Sequence, residues 1–183
     1  MRNNNGLFFL RVGGTLLLIA AIVAGMLAAV NALTKDRIEQ NELAEINTAI
    51  GELFGGEVER TDLQGEFPAG VRNVWQVSLD GEHAGYCIYT ETQGYGGTIG
   101  MMVAFDTQGA VQGISIVEIL ETAGLGSRVN DGAYLSQYTG MTEEKSMAEV
   151  DAITGSTVSS RAVTEGVNLA VRTYQMIGGE TNE

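Results

Sequence analysis

The chain has 183 residues, with 10 Lys and Arg against 23 Asp and Glu and a net charge of −13. So acidic a body repels nucleic acid and anionic headgroups, which excludes nucleic acid as a partner. One cysteine, Cys87, excludes an internal disulfide and a thiolate-ligated iron–sulfur cluster, and with the one histidine, His83, no metal cluster is readable.

Residues 1–11 carry Arg2 and Arg11 and no acid. Residues 12–33 carry no charge and are mostly Leu, Ile, Val, Ala and Gly. About 20 such residues in a helix cross a ~30 Å hydrocarbon core. A signal peptide has a shorter apolar region, although Ala28, Ala29 and Ala32 could mimic its cleavage site. The reading favoured is an uncleaved transmembrane anchor, which makes membrane lipid a partner over residues 12–33. All 23 acids follow the span, while Lys35 and Arg37 lie just beyond it. Residues 1–11 are therefore expected as a cytoplasmic tail, and residues 34–183 as a domain outside the cell (inner) membrane, in a single-pass arrangement.

After the anchor, residues 34–54 predict a helix with the apolar stripe Ile38, Ile46, Ile50, Leu53 and Phe54, stopped by Gly55-Gly56. Residues 74–79 and 84–92 alternate around Asp80-Gly81, a hairpin pattern. Residues 98–105 and 110–119 form a second pair around residues 106–109. Cys87 is expected as a packed strand residue and His83 as a surface turn residue. A short helix is expected over residues 132–138. The last helix shows Val158, Ala162, Val163, Val167, Ala170, Val171, Tyr174 and Ile177 at three- and four-residue steps. Helix, paired strands, then helix predicts an α+β domain with an antiparallel sheet and flanking helices, plus the N-terminal transmembrane helix.

Two features of this domain bear chemistry. Residues 151–157 read DAITGST directly before the last helix, so Thr154, Gly155, Ser156 and Thr157 stand at a helix entrance. Such hydroxyls commonly only cap the helix. The same place collects free N–H groups and the positive dipole end, which favours an anion such as phosphate. Glycine is also abundant, 25 residues, about twice the ~7% usual share. It clusters at Gly94-Tyr95-Gly96-Gly97 and Gly124-Leu125-Gly126, which are turn signals that also permit close approach of a planar ligand.

These stretches resemble one family. DAITGSTVSSRAVTEGV, residues 151–167, is similar to the flavin-attachment segment of the FMN-binding subunits of two membrane complexes. They are the G subunit of the Rnf ion-translocating ferredoxin:NAD oxidoreductase and the C subunit of the sodium-translocating NADH:quinone reductase. GYGGTIGMMVAFDTQGAVQGI resembles the family's glycine-rich segment and strand pair, and ETAGLG, residues 121–126, its ring-contacting loop. The family has Ala at Ser156, Pro at Ala123 and, in many members, His at Ile119. The resemblance implies covalent FMN, joined through its phosphate to Thr157 by a flavin transferase. Thr154, Gly155 and Ser156 would surround the phosphate. Glu121, Thr122, Gly124, Leu125, Gly126 and Tyr95 would lie at the ring, with Leu125 as an apolar face. Asp151 is expected to serve recognition by the transferase.

The compact length favours the Rnf protein, because its quinone reductase counterpart is typically longer. The implied function is an electron-transfer subunit, not a complete enzyme alone, in a membrane complex with other subunits. That complex would couple ferredoxin:NAD electron transfer to sodium or proton translocation. The alternatives are the equivalent quinone reductase subunit and a membrane-anchored interaction domain without cofactor. A hydrolase using Ser156 or Thr157 is disfavoured, since His83 lies far back in the chain and no Lys stands near to activate a hydroxyl.

Overall fold

The computed structural model describes residues 5–180, and side chains within residues 11–31 and 46–178. Arg2 lies outside these residues, and the Ile38 side chain of the expected stripe lies outside the described side chains. The chain divides into two units, Met1–Ala44 and Glu45–Glu183. The first helix, α1 (Asn5–Phe54), runs through the boundary.

In the first unit, Arg11–Asn31 is a helical stretch of 21 residues with mean hydropathy 2.3, long and apolar enough to cross a membrane, and none of its window is buried by protein. Such a segment needs every backbone polar group satisfied within the helix. The side-chain hydroxyl of Thr15 is also satisfied within the helix, donating back to the carbonyls of Arg11 (3.0 Å) and Val12 (2.9 Å).

The second unit opens with the last turns of α1. Gly55, at φ +78°, ends the helix, and the N–H groups of Gly55 and Gly56 return to the Gly51 carbonyl at 2.8 and 3.1 Å. Five strands follow: β1 (Val58–Asp62), β2 (Val71–Leu79), β3 (Glu82–Gln93), β4 (Thr98–Phe105) and β5 (Val111–Ile119). They form an antiparallel meander in chain order. Asp80-Gly81, both at positive φ, make the β2–β3 turn. In the β4–β5 turn the Asp106 carboxylate accepts the N–H groups of Gln108 and Ala110 at 2.8 and 2.9 Å.

Strand alternation divides two cores between the faces of the sheet. Trp75, Cys87 and Ala104 are register partners on one face, packed with Ile50 and Phe54 of α1. Val74, Ile88 and Val103 share the other face, packed with Val163, Val167, Ala170 and Val171 of the C-terminal helix. Burying each such Val contributes roughly 1.5–3 kcal/mol. Cys87 is a fully buried strand residue, and burial pushes its thiol up to about 12. His83 lies on β3 itself rather than in the turn, exposed, edge-on to Tyr86 and hydrogen-bonded to Gln76.

Between sheet and last helix run a 3-10 turn (Gly126–Asn130), α2 (Gly132–Leu135), and 3-10 turns at Ser136–Tyr138 and Met147–Glu149. The last helix, α3 (Thr157–Glu180), then crosses the sheet. Thr90 and Thr92 of β3 donate their hydroxyls to the α3 carbonyls of Gly166 (3.2 Å) and Ala162 (2.9 Å), fixing the helix's position along the strand. Of the stripe expected on α3, Val158 departs: it is 50% exposed and lines an open cavity at the helix start.

Candidate cofactor site

Two loops and the start of α3 meet at one end of the sheet. The first loop is Gln93 to Thr98, where Gly94 N–H donates to the Gly97 carbonyl at 2.8 Å. The second leaves β5 at Leu120, whose N–H donates to the Thr98 carbonyl at 3.0 Å. Glu121 ties the two together. Its carboxylate accepts the N–H of Tyr95 at 2.7 Å and of Gly96 at 3.2 Å. The carboxylate fits only because its neighbours lack side chains: a Cβ on Gly94 or Gly126 would overlap it. The remainder of the second loop is a turn in which Leu125 and Ser127 donate to the Thr122 carbonyl at 3.2 and 3.3 Å. Ser127 Oγ accepts Gly124 N–H at 2.9 Å. Leu125 is left 47% exposed.

The third component is the approach to α3. Asp151 N–H donates to Gln137 Oε1 at 3.0 Å, and Ile153 N–H to Ser160 Oγ at 3.1 Å. Ser156 N–H donates to Ile153 at 2.9 Å, across a turn that places Gly155 at φ +83°. Glycine is needed there for that conformation. Added bulk at Gly155 would also come within 3.3 Å of Leu125 Cδ1, so the second and third components touch. Behind them, a buried hydroxyl chain braces the helix start. Tyr134 donates to the Ser160 carbonyl at 3.2 Å, Tyr138 meets Tyr134 at 3.0 Å, and Tyr138 meets Thr164 at 2.8 Å. Burial raises the Tyr138 hydroxyl above the ordinary tyrosine range, so it stays protonated and able to donate.

Ser156 is the residue before α3, and its carbonyl accepts the Ser160 N–H at 2.9 Å. A serine there ordinarily turns its hydroxyl onto a first-turn N–H. This one does not. Ser156 is 5% exposed and its Oγ has no partner. Leaving a buried hydroxyl unpaired costs about 1–3 kcal/mol. The N–H groups of Thr157, Val158 and Ser159 are likewise without partners among the described residues. Thr157 itself is exposed.

These elements enclose an open cavity of about 290 Å³. Eight of the ten residues singled out from the sequence line it: Tyr95, Glu121, Thr122, Leu125, Gly126, Gly155, Ser156 and Thr157. Thr154 and Gly124 do not; both are exposed at loop tips beside it. Val158 and Ser159 line it as well, and the sequence reading missed them. Their signal was the helix start at Thr157, which puts the next two N–H groups at the same opening. No Lys or Arg lines the cavity, so an anion there meets neutral donors and the helix dipole.

The FMN-binding domain family model matches residues 94–172, which contain all three components. The RnfG N-terminal region model matches residues 9–53. The G subunit of the Na(+)-translocating ferredoxin:NAD(+) oxidoreductase complex of Acetobacterium woodii is 30% identical over 90% of this chain and 91% of its own. The chain belongs to the family of G subunits of ion-translocating oxidoreductase complexes. A second member, the G subunit of the ion-translocating oxidoreductase complex of Aliivibrio fischeri, is 27% identical over 87% of each chain. A crystal structure of Shewanella oneidensis NqrC aligns with a TM-score of 0.49 at 22% identity, covering 59% of each chain.

The groups left open in this family member fit a flavin phosphate. Free N–H groups and an unpaired hydroxyl face an opening with an exposed threonine, and Leu125 and Val158 offer apolar surface beside it. Glu121 has a second task besides lining the cavity. Each of its two carboxylate oxygens accepts one N–H of the first loop, which holds Tyr95 and Gly96 in place.

Proposed function

We propose that this chain is the FMN-carrying electron-transfer subunit of an Rnf-type membrane complex, with FMN joined through its phosphate to Thr157. The complex would couple ferredoxin:NAD electron transfer to sodium or proton translocation. The observation that carries this reading is the meeting of an exposed Thr157 with unpartnered first-turn N–H groups and the Gly-Leu-Gly loop at one cavity. The N–H groups of Val158 and Ser159 would bind the phosphate oxygens, where the helix dipole favours negative charge. Leu125 and Val158 would cover part of the ring and exclude water from it. Glu121 would hold the first loop, and with it Tyr95, at the cavity rim. When bound, the flavin supplies the redox chemistry, and the protein positions it and tunes its potential.

Residues 12–33 anchor the chain in the inner membrane in this reading, with residues 1–11 cytoplasmic and residues 34–183 outside. Asp151, exposed two residues after the last 3-10 turn, is the contact offered to a flavin transferase, and other subunits of the complex complete the electron path. The test is visible absorbance of the purified full chain, produced together with a flavin transferase. Flavin absorbance that stays with the chain in denaturant is expected; its complete loss would overturn covalent attachment. Protease added to sealed, right-side-out cells should remove the C-terminal domain, and protection there would reverse the orientation.

A further inference from the structure

We infer that Ser156 is a hydrogen-bond donor to the phosphodiester at Thr157, and not a second attachment point. The inference rests on the attachment proposed above. It begins from a division of labour between two adjacent hydroxyls. Thr157 is exposed, whereas Ser156 is 5% exposed with a buried, unpaired Oγ. An acceptor oxygen must be presented to an incoming phosphorus centre held by another enzyme. Thr157 can do that and Ser156 cannot.

The remaining capacity of Ser156 points to the phosphate. Its N–H is spent on Ile153 and its carbonyl on Ser160 N–H, both at 2.9 Å. Only the hydroxyl is unused, although capping is open to it. One torsion sets the direction of that O–H, and the residue lines the cavity. A phosphodiester carries one negative charge over two non-bridging oxygens, and no Lys or Arg lines this cavity to meet it. The charge is then shared among neutral donors, where an added O–H contributes a charge-assisted hydrogen bond. This donor is particular to a chain with Ser rather than Ala before the attachment threonine.

The 31P resonance of the flavin phosphodiester in the full chain tests the assignment. In the folded wild-type protein it should differ from its value in denaturant, and Ser156→Ala should keep the flavin yet move the folded resonance. In denaturant the two proteins should give the same resonance. Identical folded resonances in the two proteins would overturn the donor role while leaving attachment intact. Flavin found on Ser156 itself would overturn it too. A wild-type chain with no phosphodiester signal would sink the attachment and this inference together. Should Ser156→Ala not take up flavin, a 1H–31P correlation from the Ser156 hydroxyl in the wild-type protein is expected. Its absence from a spectrum that shows correlations from the α3 N–H groups would count against the donor.

Discussion

Two sets of backbone N–H groups stand at the same cavity, and the protein treats them oppositely. Those of Tyr95 and Gly96 are closed by the protein's own Glu121 carboxylate, at 2.7 and 3.2 Å. Those of Thr157, Val158 and Ser159 are left open, beside a serine hydroxyl that could have capped them and does not. The difference separates scaffold from site. Where the fold needs a loop held, an internal anion is supplied. On the proposed attachment, the open donors are kept for a ligand's anion, at a cost in stability that the ligand would offset.

The largest effect that follows is all-or-none. Thr157→Ala removes the exposed hydroxyl of the opened helix turn, so the variant should carry no covalent flavin when produced with the transferase. Intact mass reads this directly, and flavin retained at wild-type levels would break the contrast between the open and the closed set.

The closed set predicts a different phenotype. Glu121→Ala frees two N–H groups that water can partly re-satisfy. It should cost about 1–2 kcal/mol of stability, seen as a Tm lower by a few degrees. The flavin should still be attached, because the Thr157 segment is untouched. Thermal melts of the full chain in detergent, paired with intact mass, check both parts. An unchanged Tm with lost flavin would make Glu121 a ligand contact and not a brace.

A smaller effect is expected at the apolar rim. Leu125→Glu brings a negative charge to the proposed ring surface, which disfavours a reduced flavin anion. The midpoint potential should fall while attachment persists. For a one-electron couple ~59 mV corresponds to a tenfold change in equilibrium. A titration showing the wild-type potential and unchanged flavin absorbance would put this loop away from the ring.

Much of this arrangement was legible in the sequence, and the parts that were not have physical reasons. The two hairpins and α3 follow from alternation, Asp-Gly and Asp-Thr-Gln-Gly turns, and a three- and four-residue apolar step. Strand β1 (VERTD) went unread because it is a charged edge strand, held by pairing to β2 and by Arg60 over the Trp75 ring at 5.1 Å. Val158 fits the apolar phase of α3, but phase alone does not show that it lines an open cavity. Motif position could not show that the Glu121 carboxylate also holds the first loop. Nor could it separate Thr154 and Gly124, at loop tips, from the eight residues that line the cavity. Motif position already set Thr157 apart from Ser156; that one hydroxyl is exposed and the other buried needed the structure.

The central claim is that the open helix start holds a flavin phosphate on one particular hydroxyl. Peptide mass mapping of the wild-type chain, produced with the transferase, tests it most directly. The account predicts the FMN mass on Thr157 alone; an unmodified 151–161 peptide, or FMN on Thr154, Ser156 or Ser159, would contradict it.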